Sequence, residues 1–205
     1  WNNGAITRSI TIKNSGSYSV KVTNANNCSA TSAATSITIN ALPTATISAN
    51  GSTTFCQGDS VILTASAGNS YLWNNGAITR SITIKNSGSF SVKVTNVNNC
   101  SATSAATSVT VNVLPTATIS ASGSTTFCQG DSVILTASAG SSYLWNNGAT
   151  ARNITVKNSG SFSVKVTNAN NCSATSAATT VAVNALPTAT ISASGSTTFC
   201  QGDSV

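Results

Sequence analysis

The chain has 205 residues, of which 40% are hydrophobic but only 6% charged, with nine basic side chains, three acidic ones and no His. An average globular protein carries about 25% charged residues; here Ser, Thr, Asn, Ala and Val take their place, which favours strands and turns over helices and, because apolar residues alternate regularly, excludes disorder. The net charge of +6 is dispersed, with Arg8, Lys13 and Lys21 recurring one repeat apart, so it forms no basic stripe for nucleic acid, and no apolar run reaches the length of a membrane span.

Trp1, Trp73 and Trp145 mark one position of a 72-residue period, and Pro43, Pro115 and Pro187 mark another. Residues 43–114 and 115–186 differ at about ten positions, mostly mildly, as Ile84 against Val156. Such self-similarity points to tandem duplication, and the period is long enough for a small autonomous domain. The expected division is the C-terminal part of one repeat in 1–42, complete repeats in 43–114 and 115–186, and the N-terminal part of another in 187–205. Both ends fall in mid-repeat, so the chain reads as a window cut from a longer array. Proline interrupts a strand ladder, so each unit ends at a joint such as Leu114-Pro115. A joint of one or two residues is too short to be a flexible linker. Neighbouring domains are therefore expected to meet end to end in a stiff rod.

In chain order, the complete unit opens with a strand in which Ala45, Ile47 and Ala49 alternate with polar residues. A second follows in Ser60–Ala65, with Val61, Leu63 and Ala65 on one face. Tyr71 and Trp73 share a face of a third, which ends at an Asn74-Asn75-Gly76 turn. Ile82 and Ile84 mark a fourth, Phe90, Val92 and Val94 a fifth, and Val109, Val111 and Val113 a sixth. Short strands spaced about 8–12 residues apart and separated by turn residues indicate an all-β sandwich of two sheets. Its expected core is Leu63, Tyr71, Trp73, Phe90 and Val92, with Trp145 and Phe162 in the next copy. So small a unit has a thin core that needs support from disulfides or neighbours.

Gly58–Ala65 resembles strand B of an immunoglobulin domain, Tyr71-Leu72-Trp73 resembles strand C with its core tryptophan, and Asn86–Val92 resembles the entry to strand F. The aromatic of a tyrosine corner falls there, and Tyr18 fills that place in the first copy. The fold this implies is a tandem array of immunoglobulin-like β-sandwich domains. The cysteines that pin the two sheets of antibody domains correspond to Ala65 and Val92, so that bridge is absent. The whole unit also resembles the immunoglobulin-like or polycystic-kidney-disease-like repeats of Bacteroidota surface proteins. The motifs that carry this are Phe55-Cys56-Gln57-Gly58, Trp73-Asn74-Asn75-Gly76, Gly88-Ser89-Phe90 and Asn98-Asn99-Cys100. The resemblance implies the stalk of a very large, extracellular, cell-surface adhesin exported by the type IX route, as in gliding motility.

Six cysteines fall in two phases: Cys56, Cys128 and Cys200 before strand B, and Cys28, Cys100 and Cys172 after strand F. A periodic, even set in a secreted-looking chain implies disulfides. A zinc site lacks ligands, since there is no His and no CxxC pair, and a cysteine nucleophile lacks a base. With an immunoglobulin-like strand order, B and F run the same way. The start of B and the end of F then lie about 25 Å apart for strands of seven or eight residues. A disulfide needs Cα atoms within about 7 Å. That ordering favours a staple across a joint, Cys56 to Cys172, with Cys28, Cys100 and Cys200 paired to repeats outside this window. The simpler alternative is intradomain, Cys56–Cys100 and Cys128–Cys172; free or intermolecular thiols are the third.

Asp59, Asp131 and Asp203 are the only acids, too few per repeat for a strong calcium site, and are expected to hydrogen-bond in the turn before strand B. Asp59-Ser60-Val61 resembles the Asp-Ser/Thr-aliphatic O-glycosylation motif of Bacteroidota, which implies acceptors at Ser60, Ser132 and Ser204. Isopeptide cross-links between Lys and Asn need a buried acid that the unit lacks, and Tyr71 and Trp73 fit core packing better than sugar stacking. No cofactor is expected, and the composition lacks the groups an enzyme needs. The expected partners are neighbouring repeats of the same chain. The leading reading is a structural stalk; a polysaccharide-binding module and a self-assembling filament built from copies of the chain are the alternatives.

Overall fold

Where apolar and polar residues alternate, successive side chains fall on opposite faces of a strand, and the burial pattern of Val61–Ala65 follows that alternation residue by residue. The computed structural model describes residues 1–198 and 200–204; Phe199 and Val205, both inside the expected partial repeat 187–205, lie outside the described residues. Among the described residues there are strands and no helix. They divide into two compact units, Trp1–Val111 and Asn112–Val205.

The first unit begins with four short strands, β1 (Gly16–Tyr18), β2 (Lys21–Thr23), β3 (Ser29–Thr31) and β4 (Thr35–Ile37), with β1 paired to β4 and β2 to β3. The next repeat carries nine strands. They are β5 (Ile47–Ala49), β6 (Thr54–Cys56), β7 (Val61–Ala65), β8 (Ser70–Trp73), β9 (Ser81–Ile84), β10 (Gly88–Phe90), β11 (Val92–Thr95), β12 (Ser101–Thr103) and β13 (Thr107–Asn112). One sheet is antiparallel, in the order β5-β7-β9. In the other, β10 and β11 are halves of a single strand interrupted at Ser91, and β12 and β13 are halves of the next. β10 pairs with β13, and β11 lies between β12 and β8. β6 closes the far edge beside β13.

The inward faces of the two sheets form one core. Val61, Leu63, Ala65, Ile82 and Ile84 come from the first sheet, and Trp73, Val92, Val94 and Val109 from the second. Trp73 sits opposite Val92 in the ladder, and its indole Nε1 donates to the carbonyl of Thr79 at 2.8 Å, so the buried ring leaves no donor unpaired. Where the β10–β11 strand breaks, the buried Ser104 fills the gap: its Oγ accepts the amide of Val92 at 3.1 Å and donates to the carbonyl of Ala105 at 2.8 Å.

The second unit repeats this plan with β14 (Ile119–Ala121), β15 (Thr126–Cys128), β16 (Val133–Ala137), β17 (Ser142–Trp145), β18 (Asn153–Val156), β19 (Gly160–Phe162), β20 (Val164–Thr167), β21 (Ser173–Thr175) and β22 (Thr179–Asn184). The sheets are β14-β16-β18 on one side and β17-β20-β21 with β15-β22-β19 on the other, around a core that includes Leu135, Trp145 and Val164. The fold is an all-β, immunoglobulin-like sandwich.

Three strands depart from the sequence reading. The first is only Ile47–Ala49, with Ala45 packed on the core outside the ladder. The fifth is split at Ser91. The sixth ends at Asn112, leaving Val113 exposed. β6 and β12 were not expected, each being only three residues long; β6 pairs with β13 from the far end of the repeat, and β12 forms a hairpin with β11. Ile10 and Ile12 occupy the positions of Ile82 and Ile84, and Ile191 that of Ile47, yet none of the three is in a strand. Residues 1–42 contain no fully buried side chain.

Candidate functional site: the cysteine-bearing ends of the repeat

One cysteine of each repeat stands at the outgoing end of its domain. β15 runs parallel to β22, with Thr126 opposite Ala182, Phe127 opposite Val183 and Cys128 opposite Asn184. The amide of Gln129 extends that ladder by donating to the carbonyl of Asn184 at 2.8 Å. Cys128 thus lies beside the strand that leads into Leu186-Pro187. The chain then reverses in a tight turn, the amide of Asp131 donating to the carbonyl of Cys128 at 3.1 Å, with Gly130 at φ +108°. Cys56 enters the same turn, with Asp59 donating at 3.1 Å and Gly58 at φ +105°. A side chain at that φ is strained, so glycine is the residue that lets the strand turn directly after its cysteine. The hydrogen bond expected of Asp59 and Asp131 in this turn is made by their backbone amides.

The other cysteine stands at the incoming end, in the loop between β20 and β21, and one asparagine shapes that loop. Asn168 Oδ1 accepts the amides of Asn170 and Cys172, each at 3.0 Å. Its own amide donates to the carbonyl of Cys172 at 2.9 Å. Asn171, at φ +59°, supplies the left-handed residue that an asparagine tolerates better than most. The free arm of Asn168, Nδ2, donates to the carbonyl of Val113 at 2.9 Å. Cys172 is fully buried, with Sγ 4.0 Å from the carbonyl of Asn112. A disulfide sulfur carries no proton, so that approach is packing.

The arrangement is reproduced one repeat earlier. Asn96 accepts the amides of Asn98 and Cys100 at 3.0 Å each and donates to the carbonyl of Ala41 at 2.9 Å, and Cys100 Sγ lies 3.8 Å from the carbonyl of Asn40. In the first repeat, Asn24 makes the two loop bonds to Asn26 and Cys28, at 3.0 and 2.9 Å. The two cysteine phases therefore occupy opposite ends of a domain. Cys56 and Cys172 are disulfide-bonded, whereas Cys28, Cys100, Cys128 and Cys200 are free thiols. Each of the intradomain pairs Cys56–Cys100 and Cys128–Cys172 thus includes a free thiol.

Ser60, Ser132 and Ser204 are exposed, each one residue past its turn aspartate. Leu63, Trp73, Val92 and Trp145 are fully buried, and Tyr71, Phe90 and Phe162 pack on the core half-buried. Tyr71 Oη bonds back to Gly68, accepting its amide at 3.0 Å and donating to its carbonyl at 3.1 Å. Tyr18 Oη donates to the carbonyl of Asn14 at 3.0 Å, the corner expected there. Among the described residues no three His, Cys, Asp or Glu side chains gather as a metal site would require, and no helix is long and apolar enough to cross a membrane.

The residues missed by sequence reasoning are Asn96 and Asn168. Their signal was available in the recurrence of Asn24, Asn96 and Asn168 four residues before a cysteine, but the partner of the free arm lies 55 residues away.

No family model matches the chain, and no curated protein sequence does. Among solved structures, the chain is similar to murine CEACAM1b, at 13% identity over 69% of this chain and 100% of that one, with a TM-score of 0.34. It is also similar to the fibronectin(III)-like modules of Clostridium thermocellum CbhA, at 12% identity over 67% of this chain and 92% of that one, with a TM-score of 0.35. At such scores the fold assignment rests on the strand order and registers.

Proposed function

We propose that this chain is a structural, non-enzymatic stretch of the stalk of an extracellular cell-surface adhesin, and that its domains are stapled to one another by disulfides across each joint. The pair in this chain is Cys56 with Cys172. The observation that carries the reading is the position of disulfide-bonded Cys172 against the carbonyl of Asn112. Asn112 is the counterpart of Asn184, and Asn184 is the ladder partner of Cys128. Cys56 is the counterpart of Cys128 one repeat earlier. A cysteine of each phase therefore belongs beside Asn112, one from the domain before the joint and one from the domain after it. By the same rule Cys28 and Cys100 serve upstream joints, and Cys128, with Cys200, serves downstream ones. Disulfides of this kind form and persist in oxidising, extracellular spaces. The resemblance to Bacteroidota adhesin repeats, read from the Phe-Cys-Gln-Gly and Asn-Asn-Cys segments, supports the adhesin and the type IX route.

Non-reducing peptide mapping tests the staple. A peptide joining Cys56 to Cys172 is the expected result, and one joining Cys56 to Cys100 would overturn it. Small-angle scattering of chains with two, four and six repeats tests the stalk. The maximum dimension is expected to grow in proportion to repeat number under oxidising conditions; a dimension that grows only as its square root would reject stiffness. Glycosylation of Ser60, Ser132 and Ser204 is part of the same reading, supported by their exposure, and an intact mass equal to the sequence mass in material from the native host would remove it.

A further inference from the structure

We infer that Asn96 and Asn168 are clasps that tie each cysteine loop to the incoming chain, whether or not the cysteine of that loop is disulfide-bonded. Each makes two kinds of bond with one side chain. Oδ1 holds the cysteine loop in shape, while Nδ2 reaches out of the domain to the carbonyl of the incoming chain, Ala41 for Asn96 and Val113 for Asn168. The decisive comparison is between the two copies. Cys172 is disulfide-bonded and Cys100 is a free thiol, yet the clasp length is 2.9 Å in both, and the sulfur-to-carbonyl approach is 4.0 Å in one and 3.8 Å in the other. The outward bond is therefore the same beside a bonded sulfur and beside a thiol. The clasp also covers its sulfur: Cys100 is half-buried and Cys172 buried, whereas Cys28, beside which no such outward bond is described, is exposed. Asn96 and Asn168 act through the cysteines and are positioning residues.

The variant that isolates the outward arm is Asn→Asp. A carboxylate keeps both acceptors for the loop amides but has no proton to give the carbonyl of Ala41 or Val113. The first measurement needs no disulfide and stands whether or not the staple reading holds. In the reduced full chain, alkylation of Cys100 relative to Cys28 is followed by peptide mass spectrometry. Asn96→Asp is expected to speed Cys100 by about three- to tenfold, the population change that loss of one hydrogen bond allows, and Asn24→Asp is expected to leave Cys28 unchanged. An unchanged rate for Cys100 overturns the clasp, as does an equal acceleration of Cys28 by Asn24→Asp.

The second measurement rests on the staple reading. In a glutathione redox buffer the two thiols lose two protons and two electrons, and glutathione disulfide leaves as two glutathione thiols. Asn168→Asp is expected to lower the equilibrium constant for the Cys56–Cys172 bond by the same factor of about three to ten, with the melting temperature of the reduced chain unchanged. A wild-type constant in that variant overturns the positioning role. Absence of the bond in the wild-type chain would instead overturn the staple and leave the alkylation result to decide the clasp.

Discussion

Ser104 offers the sharpest test of how the sandwich is held together, because one small side chain sits where two half-strands fail to meet. Replacing it with alanine removes the acceptor for the amide of Val92 and the donor to Ala105, bonds of 3.1 and 2.8 Å. Val92 is fully buried and Ser104 is 8% exposed, so no solvent reaches the amide that is left behind. An unsatisfied buried donor costs about 1–3 kcal/mol, and the better transfer of a methyl group offsets only a few tenths of that. With a urea dependence of about 1.5 kcal/mol per molar for a domain of this size, a loss of about 2 kcal/mol lowers the midpoint by roughly 1 M. The measurement is urea unfolding of the reduced chain followed by tryptophan fluorescence, with Trp1 and Trp145 changed to Phe so that Trp73 reports its own domain. A midpoint within about 0.2 M of the parent would refute the claim that the hydroxyl, and not the surrounding ladder, satisfies Val92.

Two further predictions follow from close approaches in the same domain. A Cβ on Gly68 would collide with Val94 Cγ1 and lie 3.2 Å from the carbonyl of Thr95, while one on Gly123 would meet nothing within 4 Å. Gly68→Ala is therefore expected to destabilise its domain by about 1–3 kcal/mol, the usual range for overpacking, and Gly123→Ala to be neutral within about 0.5 kcal/mol; thermal melts of the two single variants decide between them. Phe90 lies over Gly88 as Tyr18 lies over Gly16. Phe90→Tyr is thus expected to gain the bond that Tyr18 makes to Asn14, here to the carbonyl of Asn86, and to raise stability by about 0.5–1.5 kcal/mol in urea unfolding.

The sandwich was legible because its core strands obey a period of two. Val61, Leu63 and Ala65, or Val92 and Val94, alternate with polar residues and are buried in that alternation. The opposite placement of the two cysteine phases was legible for a related reason, since strand direction follows from strand order. β6 escaped notice because a three-residue segment between Gly51 and Gly58 has no periodicity to read and takes its parallel partner from the far end of the domain. Val113 was misread as a strand residue because it continues the alternation of Val109 and Val111, although the ladder ends at Asn112. Its carbonyl is instead the acceptor for Asn168. Local pattern reports which face a side chain takes, but it carries no information on a partner 55 residues away.

The same geometry bears on how a stapled array would carry load. β15 and β22 are parallel and in register, so Cys128 and Asn184 end at the same place and point the same way. A pull on the outgoing chain and a pull through a disulfide at Cys128 would therefore draw both strands in one direction, with no shear between them. At the incoming end, Asn168 ties the cysteine loop to the backbone at Val113, so the two points of attachment there also lie side by side. Ala65 and Val92, where an antibody domain has its bridge, remain as buried apolar packing. A bridge there would hold two sheets together within one domain; the cysteines of this repeat stand instead at its two ends.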